Sequence, residues 1–132
     1  MIHLTAREGS GRAGLSEIAA AIDSPRAFTA KILQLLTKAG LLDSARGPGG
    51  GFRIVSDKNI NLHQIVEAVD GNDLVEGCVL GFRRCSETHP CPVHHRFSPV
   101  RDYLAVTLST TSLGEIQQLM KDGKGFLREN EQ

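Results

Sequence analysis

Apolar side chains recur at helical spacing in five stretches of the chain, and two short runs between the second and third read as strands. Leu15, Ile18, Ala19 and Ile22 mark a short helix over residues 15–22. Asp23-Ser24-Pro25 then forms a turn. Ser24 is suited to cap a second helix and Pro25 to its first position. That helix extends to about Ala39, with Phe28, Ile32, Leu35 and Leu36 as its apolar stripe and Gly40 as its stop. Residues 41–46 and 51–55 read as two strands joined by Gly47-Pro48-Gly49-Gly50. Asn61 caps a helix over Leu62–Val69, whose apolar side is Ile65, Val66 and Val69, and Gly71 ends it. Val100, Tyr103, Leu104 and Leu108 define an amphipathic helix from about Phe97 to Ser109. Thr111 is placed to cap a last short helix, Leu113–Met120, and the polar end from Lys121 on is expected to fray.

Two short helices joined by a tight turn, the second with a polar and basic outer face, read as a helix-turn-helix. The glycine-rich hairpin that follows reads as its wing. The fold class expected is therefore mainly α with a small β wing: a winged helix-turn-helix plus a long dimerisation helix. Lys31 and Arg26 can bond guanine edges or phosphates, Gln34 can read adenine, and Ser24 and Thr29 lie on the same helix start. Arg46 flanks the wing tip, where Gly49 and Gly50 leave backbone N–H groups open to a phosphate. These eight residues are the candidate DNA-binding set. The apolar face of the 97–109 helix is hard to bury inside so small a winged helix, which points to pairing with the same helix of a second copy.

The chain has 132 residues with 15 Lys+Arg and 15 Asp+Glu, so its formal net charge is zero. That excludes a bulk polyanion binder but not a local basic face. Aromatics are 5% with no Trp, which argues against a stacking platform for single strands. No run approaches the roughly 20 apolar residues that span a bilayer, and no signal peptide is evident, so the cytosol is the expected compartment. No nucleophile–base pair, Cys-x-x-Cys pair, P-loop or dinucleotide fingerprint is present, so neither enzyme activity nor a small-molecule substrate is expected.

The three cysteines change the picture. Cys78, Cys85 and Cys91 are bunched in one loop and followed by His94, with the spacing Cys-x6-Cys-x5-Cys-x2-His. Gly77, Gly81, Pro90 and Pro92 let that loop bend so that side chains converge. Three soft thiolates and an imidazole suit an iron–sulfur cluster or zinc, not calcium or magnesium. An odd cysteine count fits poorly with a disulfide framework. A structural zinc, a thiol redox switch and a site without metal are the competing readings. His89 and His95 compete with His94, and Arg83 and Arg84 could offset the charge of a thiolate-ligated cluster.

Several segments in order resemble the Rrf2 family of bacterial winged-helix regulators. They are Leu-Ser-Glu-Ile-Ala (15–19), Leu36-Thr37-Lys38-Ala39-Gly40-Leu41-Leu42, the wing Arg46-Gly47-Pro48-Gly49-Gly50-Gly51-Phe52, Ile65-Val66-Glu67-Ala68-Val69-Asp70-Gly71, the three-cysteine loop, and Thr111-Ser112-Leu113-Gly114-Glu115. The family includes the iron–sulfur-cluster-biogenesis regulator and the nitric-oxide-responsive repressor. The resemblance implies a homodimer on a double-stranded DNA operator. It also implies an iron–sulfur cluster, two-iron two-sulfur ahead of four-iron four-sulfur, held by Cys78, Cys85, Cys91 and one further ligand. In the biogenesis regulator that ligand is a histidine corresponding to His94. In the nitric-oxide type it is an acidic residue of the other subunit. The first cysteine spacing is one residue longer here than in the best-known members. The resemblance also implies that roughly a dozen residues of a first helix precede Met1, through a misassigned start codon or a truncated chain.

The organisation expected is a winged helix-turn-helix over 1–58, a connecting helix over 59–75, a cysteine-rich cluster loop over 76–95, a dimerisation helix and short terminal helix over 96–120, and a flexible tail over 121–132. The function expected is a DNA-binding transcriptional regulator, a repressor in type, controlled by a cluster that senses redox, iron or nitric oxide status. The alternative is a cluster-free or zinc-bearing winged-helix regulator acting through a protein partner.

Overall fold

In a computed structural model, residues 1–7, 9, 11–55, 59–83 and 85–127 are described. They form seven helices and two strands: α1 (Ile2–Ala6), α2 (Leu15–Ala21), α3 (Arg26–Lys38), β1 (Leu42–Ala45), β2 (Gly51–Ile54), α4 (Leu62–Asp70), α5 (Asp73–Glu76), α6 (His94–Thr110) and α7 (Leu113–Lys121). The chain makes two compact units, Met1–Ile60 with Ser112–Gln132, and Asn61–Thr111.

The first unit is the winged helix. α2 and α3 pack against each other across the turn at residues 22–25, and α3 packs on β1. Pro25, rather than Ser24, is the N-cap of α3, and Ser24 makes no side-chain cap bond. The Pro25 carbonyl accepts from the Thr29 N–H at 2.9 Å and from its hydroxyl at 3.0 Å. That back-bond satisfies the hydroxyl within the helix, so Thr29 turns inward and is only 3% exposed. The apolar face of α3 is consequently rotated from the expected stripe. Thr29, Leu33 and Leu36 are buried, Ile32 and Leu35 are half-buried, and Phe28 is 59% exposed. Ile18 and Ala19 of α2 and Leu41 and Leu42 at the start of the wing complete this core.

β1 and β2 are antiparallel with Leu42 opposite Ile54, Asp43 opposite Arg53, Ser44 opposite Phe52 and Ala45 opposite Gly51. A third segment joins them. Ala13 and Phe52 exchange backbone hydrogen bonds at 2.9 and 2.8 Å, so the residues before α2 cover the far edge of β2. Gly51 makes this approach possible. Its φ is +124°, and a Cβ there would be driven into the Ala13 carbonyl oxygen. α7 belongs to the same unit and packs on α1. Ser112, one residue after the expected Thr111, caps α7 by accepting the Glu115 N–H at 3.1 Å. Leu113 is fully buried, and the Gln117 amide donates to the Thr5 carbonyl at 2.8 Å.

In the second unit, α4 and α5 both pack on α6. Asn61, the expected cap, forms a capping box with Gln64 at 2.9 and 3.0 Å. α6 begins at His94, three residues before the expected Phe97, and runs through Pro99. Pro99 lacks an N–H, so the His95 carbonyl loses its usual helical donor. Along α6, Val100, Tyr103 and Val106 remain exposed, Tyr103 at 76%. Among the described residues no helix is long and apolar enough to cross a membrane.

The rotated stripe of α3 gives a direct test. Leu36→Ala, at a buried position, is expected to lower the unfolding free energy by about 2–5 kcal/mol. Phe28→Ala is expected to stay within about 0.5 kcal/mol of wild type. Urea titration of both variants measures the difference, and equal losses would place Phe28 in the core.

Candidate metal centre and nucleic-acid interface

The cysteine loop hangs between α5 and α6. Cys78 directly follows the Gly77 that ends α5, and its carbonyl accepts the Gly81 N–H at 2.9 Å in a tight turn. The Cys91 carbonyl accepts the His94 N–H at 3.0 Å, which starts α6 and sets Cys91 one turn from His94. All three thiols are unpaired and half-buried. They line one cavity of about 310 Å³, together with Phe82, Ser86, His89, Pro90 and Pro92.

His94 is 6% exposed and stands against Cys85, with Nδ1 and Sγ sharing a hydrogen bond at 3.0 Å. His95 meets it edge-on at 5.3 Å between ring centroids. His89 is on the cavity wall, so two of the three candidate histidines stand at the site by different routes. The backbone N–H of Leu80 holds the Cys78 thiol below its ordinary value. Desolvation opposes that shift, and the Phe82 N–H, the Cys91 side chain and the Arg101 charge add to it. A thiol so placed is readier to become the thiolate that ligates metal.

One residue of this site carries no sequence signal. Arg101 of α6 donates through Nη2 to Cys85 Sγ at 2.7 Å and through Nη1 to the carbonyls of Gly77 at 2.7 Å and Glu76 at 3.3 Å. The sequence drew attention to Arg83 and Arg84 instead. Arg83 is exposed, and Arg84 lies outside the described residues.

The donor set suits a thiophilic group. Among the described residues, no three His, Cys, Asp or Glu side chains are gathered tightly enough to hold one metal ion. Three thiols lining one cavity, with an imidazole bonded to one of them, are donors of the kind that iron–sulfur clusters and zinc take.

The nucleic-acid candidates lie in the first unit. Arg26, Lys31 and Gln34 are exposed on α3, and Ser24 is half-buried in the turn before it. Thr29 is brought to the core rather than to this face, and the exposed Phe28 is an outer residue that the stripe had hidden. On the wing, Arg46 and Gly49 are exposed, and Arg46 has no ion pair among the described residues. Gly50 closes the tip through its N–H to the Gly47 carbonyl at 2.9 Å.

The wing is held at its base by an ionic triplet. Arg12 donates through Nη2 to Asp43 Oδ2 at 2.5 Å and through Nη1 to the Asp43 carbonyl at 3.0 Å, and Arg53 Nε reaches the same carboxylate at 3.1 Å. The cross-strand pairing of Asp43 with Arg53 is readable from the hairpin register, whereas Arg12 comes from distant sequence. The bond from Arg12 holds the Asp43 carboxyl below its usual range against a smaller desolvation effect. The Arg12 charge and the Arg53 contact reinforce it.

A carboxyl with a depressed folded pKa contributes stability above its unfolded pKa, near 3.9, and loses it as pH falls through the folded value. Wild-type stability is therefore expected to fall below about pH 4 in part through Asp43. Asp43→Asn is expected to be less stable than wild type at pH 7, with the gap narrowing as the pH is lowered below about 4. Urea midpoints across this range measure it, and a gap independent of pH would contradict the triplet.

Comparison with known proteins follows the same lines. A family model described as "Rrf2: Iron-dependent Transcriptional regulator" matches residues 1–119. A protein of Aquifex aeolicus (strain VF5) named "Putative HTH-type transcriptional regulator" is 30% identical over 105 residues, covering 77% of this chain and 73% of its own. Among solved structures, T. potens IscR superposes with a TM-score of 0.74 at 17% identity, over 95% of this chain and 82% of that one. CymR, the global cysteine regulator of B. subtilis, superposes with a TM-score of 0.72 at 22% identity, over 89% of this chain and 86% of that one. These structures share the winged-helix fold.

Proposed function

The chain belongs to the Rrf2 family of transcriptional regulators, which are not enzymes, and on that premise we propose that it binds operator DNA under the control of an iron–sulfur cluster. The observation that carries this reading is the cavity walled by Cys78, Cys85 and Cys91, with His94 bonded to one of them. These four residues would hold the cluster. When bound, it supplies a redox couple and iron open to oxidants or nitric oxide. The family description as iron-dependent supports the same assignment.

On the DNA side, α3 lies in the major groove, with Arg26, Lys31 and Gln34 at base edges or phosphates and Ser24 at its start. Arg46 and the wing tip at Gly49 approach the backbone or the minor groove, whereas the Gly50 N–H, expected to be open to a phosphate, is already taken by the Gly47 carbonyl. Two copies pair through the exposed apolar residues of α6, so that two α3 helices meet half-sites about one turn apart. The state of the cysteine loop then biases operator affinity by a coupling free energy of about 1–3 kcal/mol.

A second reading is a cluster-free regulator acting through a protein partner. It is favoured by the hydrogen bonding of Cys85 to Arg101 and His94 of α6 and by the likeness in fold to CymR.

Anaerobic purification, absorption spectroscopy and iron and sulfide analysis separate the two. The proposal expects a coloured protein with equal iron and sulfide, bleached in Cys85→Ala. A protein that stays colourless after anaerobic reconstitution would overturn it. Arg46→Ala is expected to cost about 1–3 kcal/mol of operator affinity with the absorption spectrum unchanged. Anisotropy titration on duplexes recovered by binding selection measures it.

A further inference from the structure

One guanidinium joins three points of the cysteine region. Arg101 Nη1 meets the Gly77 and Glu76 carbonyls at 2.7 and 3.3 Å, and Nη2 meets Cys85 Sγ at 2.7 Å. The two carbonyls close α5, where carbonyls lack helical donors, and they immediately precede Cys78. The same side chain therefore fixes the backbone before the first cysteine and the sulfur of the second. It does so from α6, whose first residue, His94, holds Cys85 from another side at 3.0 Å. A planar fork with donors on both arms can satisfy all three acceptors together, whereas a lysine ammonium is a single point of charge.

We propose that Arg101 is a positioning residue that clamps the α5 end and Cys85 onto α6, so that the cysteine loop is set before any metal binds. Its cation also faces the sulfur, where it would offset the charge of a thiolate-ligated cluster, a role that exposed Arg83 does not fill. The proposal rests on the cluster-loop reading for its redox consequence, but the clamp itself is a property of the metal-free chain.

The test uses the full chain with Arg101→Met and Arg101→Lys. In metal-free protein, hydrogen exchange of amides in Gly77–Cys85 is expected to quicken roughly ten-fold or more in Arg101→Met, as for loss of a charged hydrogen bond. Amides of α3 and α7 should stay at wild-type rates. Arg101→Lys should restore part of the protection, since it keeps the charge but not the fork. After anaerobic reconstitution, the midpoint potential of Arg101→Met should be more negative than wild type, because a cation and a hydrogen bond to sulfur favour the reduced state. Unchanged loop exchange, or acceleration spread evenly over the chain, would overturn the clamp. A wild-type protein that takes up no cluster but shows the selective loop response would sustain the clamp and overturn the cluster reading instead.

Discussion

The sulfur of Cys85 is the point on which the second unit closes. It takes Arg101 Nη2 at 2.7 Å and His94 Nδ1 at 3.0 Å, both from α6. A 17-residue loop separates α5 from α6, and such a length without regular structure needs fixed points to keep one shape. The Gly77 and Glu76 carbonyls supply another through Arg101. With both ends tied, the three thiols face one cavity rather than scattering over the surface. Hydrogen bonds to α6 fix this arrangement where α4 and α5 bring no fully buried residue.

The first unit is governed differently. Its core is apolar and small, and the wing would be a marginal two-stranded ribbon on its own. Ala13 pairing with Phe52 and the Arg12–Asp43–Arg53 triplet hold it in place, both through the neighbouring residues 12 and 13. This ties up Arg12 and engages Arg53 at the wing base, leaving Arg46 at the tip without an ion pair among the described residues. A rigid base with a basic tip is a suitable design for reaching a phosphate backbone.

The local rules carried much of the fold. The Asn61 cap, the glycine-rich wing and the order of helices were legible because caps, turns and periodicity act over a few residues. The cysteine bunching likewise marked the loop whose three thiols line one cavity. What escaped depends on tertiary context. Phe28 reads as core in a periodic stripe, yet Thr29 hides its hydroxyl on Pro25 and takes the inward place with Leu33. The expected start of α6 at Phe97 is three residues late, because the Cys91 carbonyl accepts the His94 N–H and begins the helix there. Arg101 and Arg12 look like ordinary surface cations, because their partners are 16 and 31 residues away.

The central claim is that the cysteine site controls the DNA-reading unit, and paired titration of one preparation tests it most directly. Operator affinity is measured anaerobically for the cluster-loaded protein and for the same protein stripped of metal. The account predicts affinities that differ by roughly five-fold to 150-fold, the span of a typical allosteric coupling. Equal affinities in the two states, with the cluster verified by its spectrum, would contradict it.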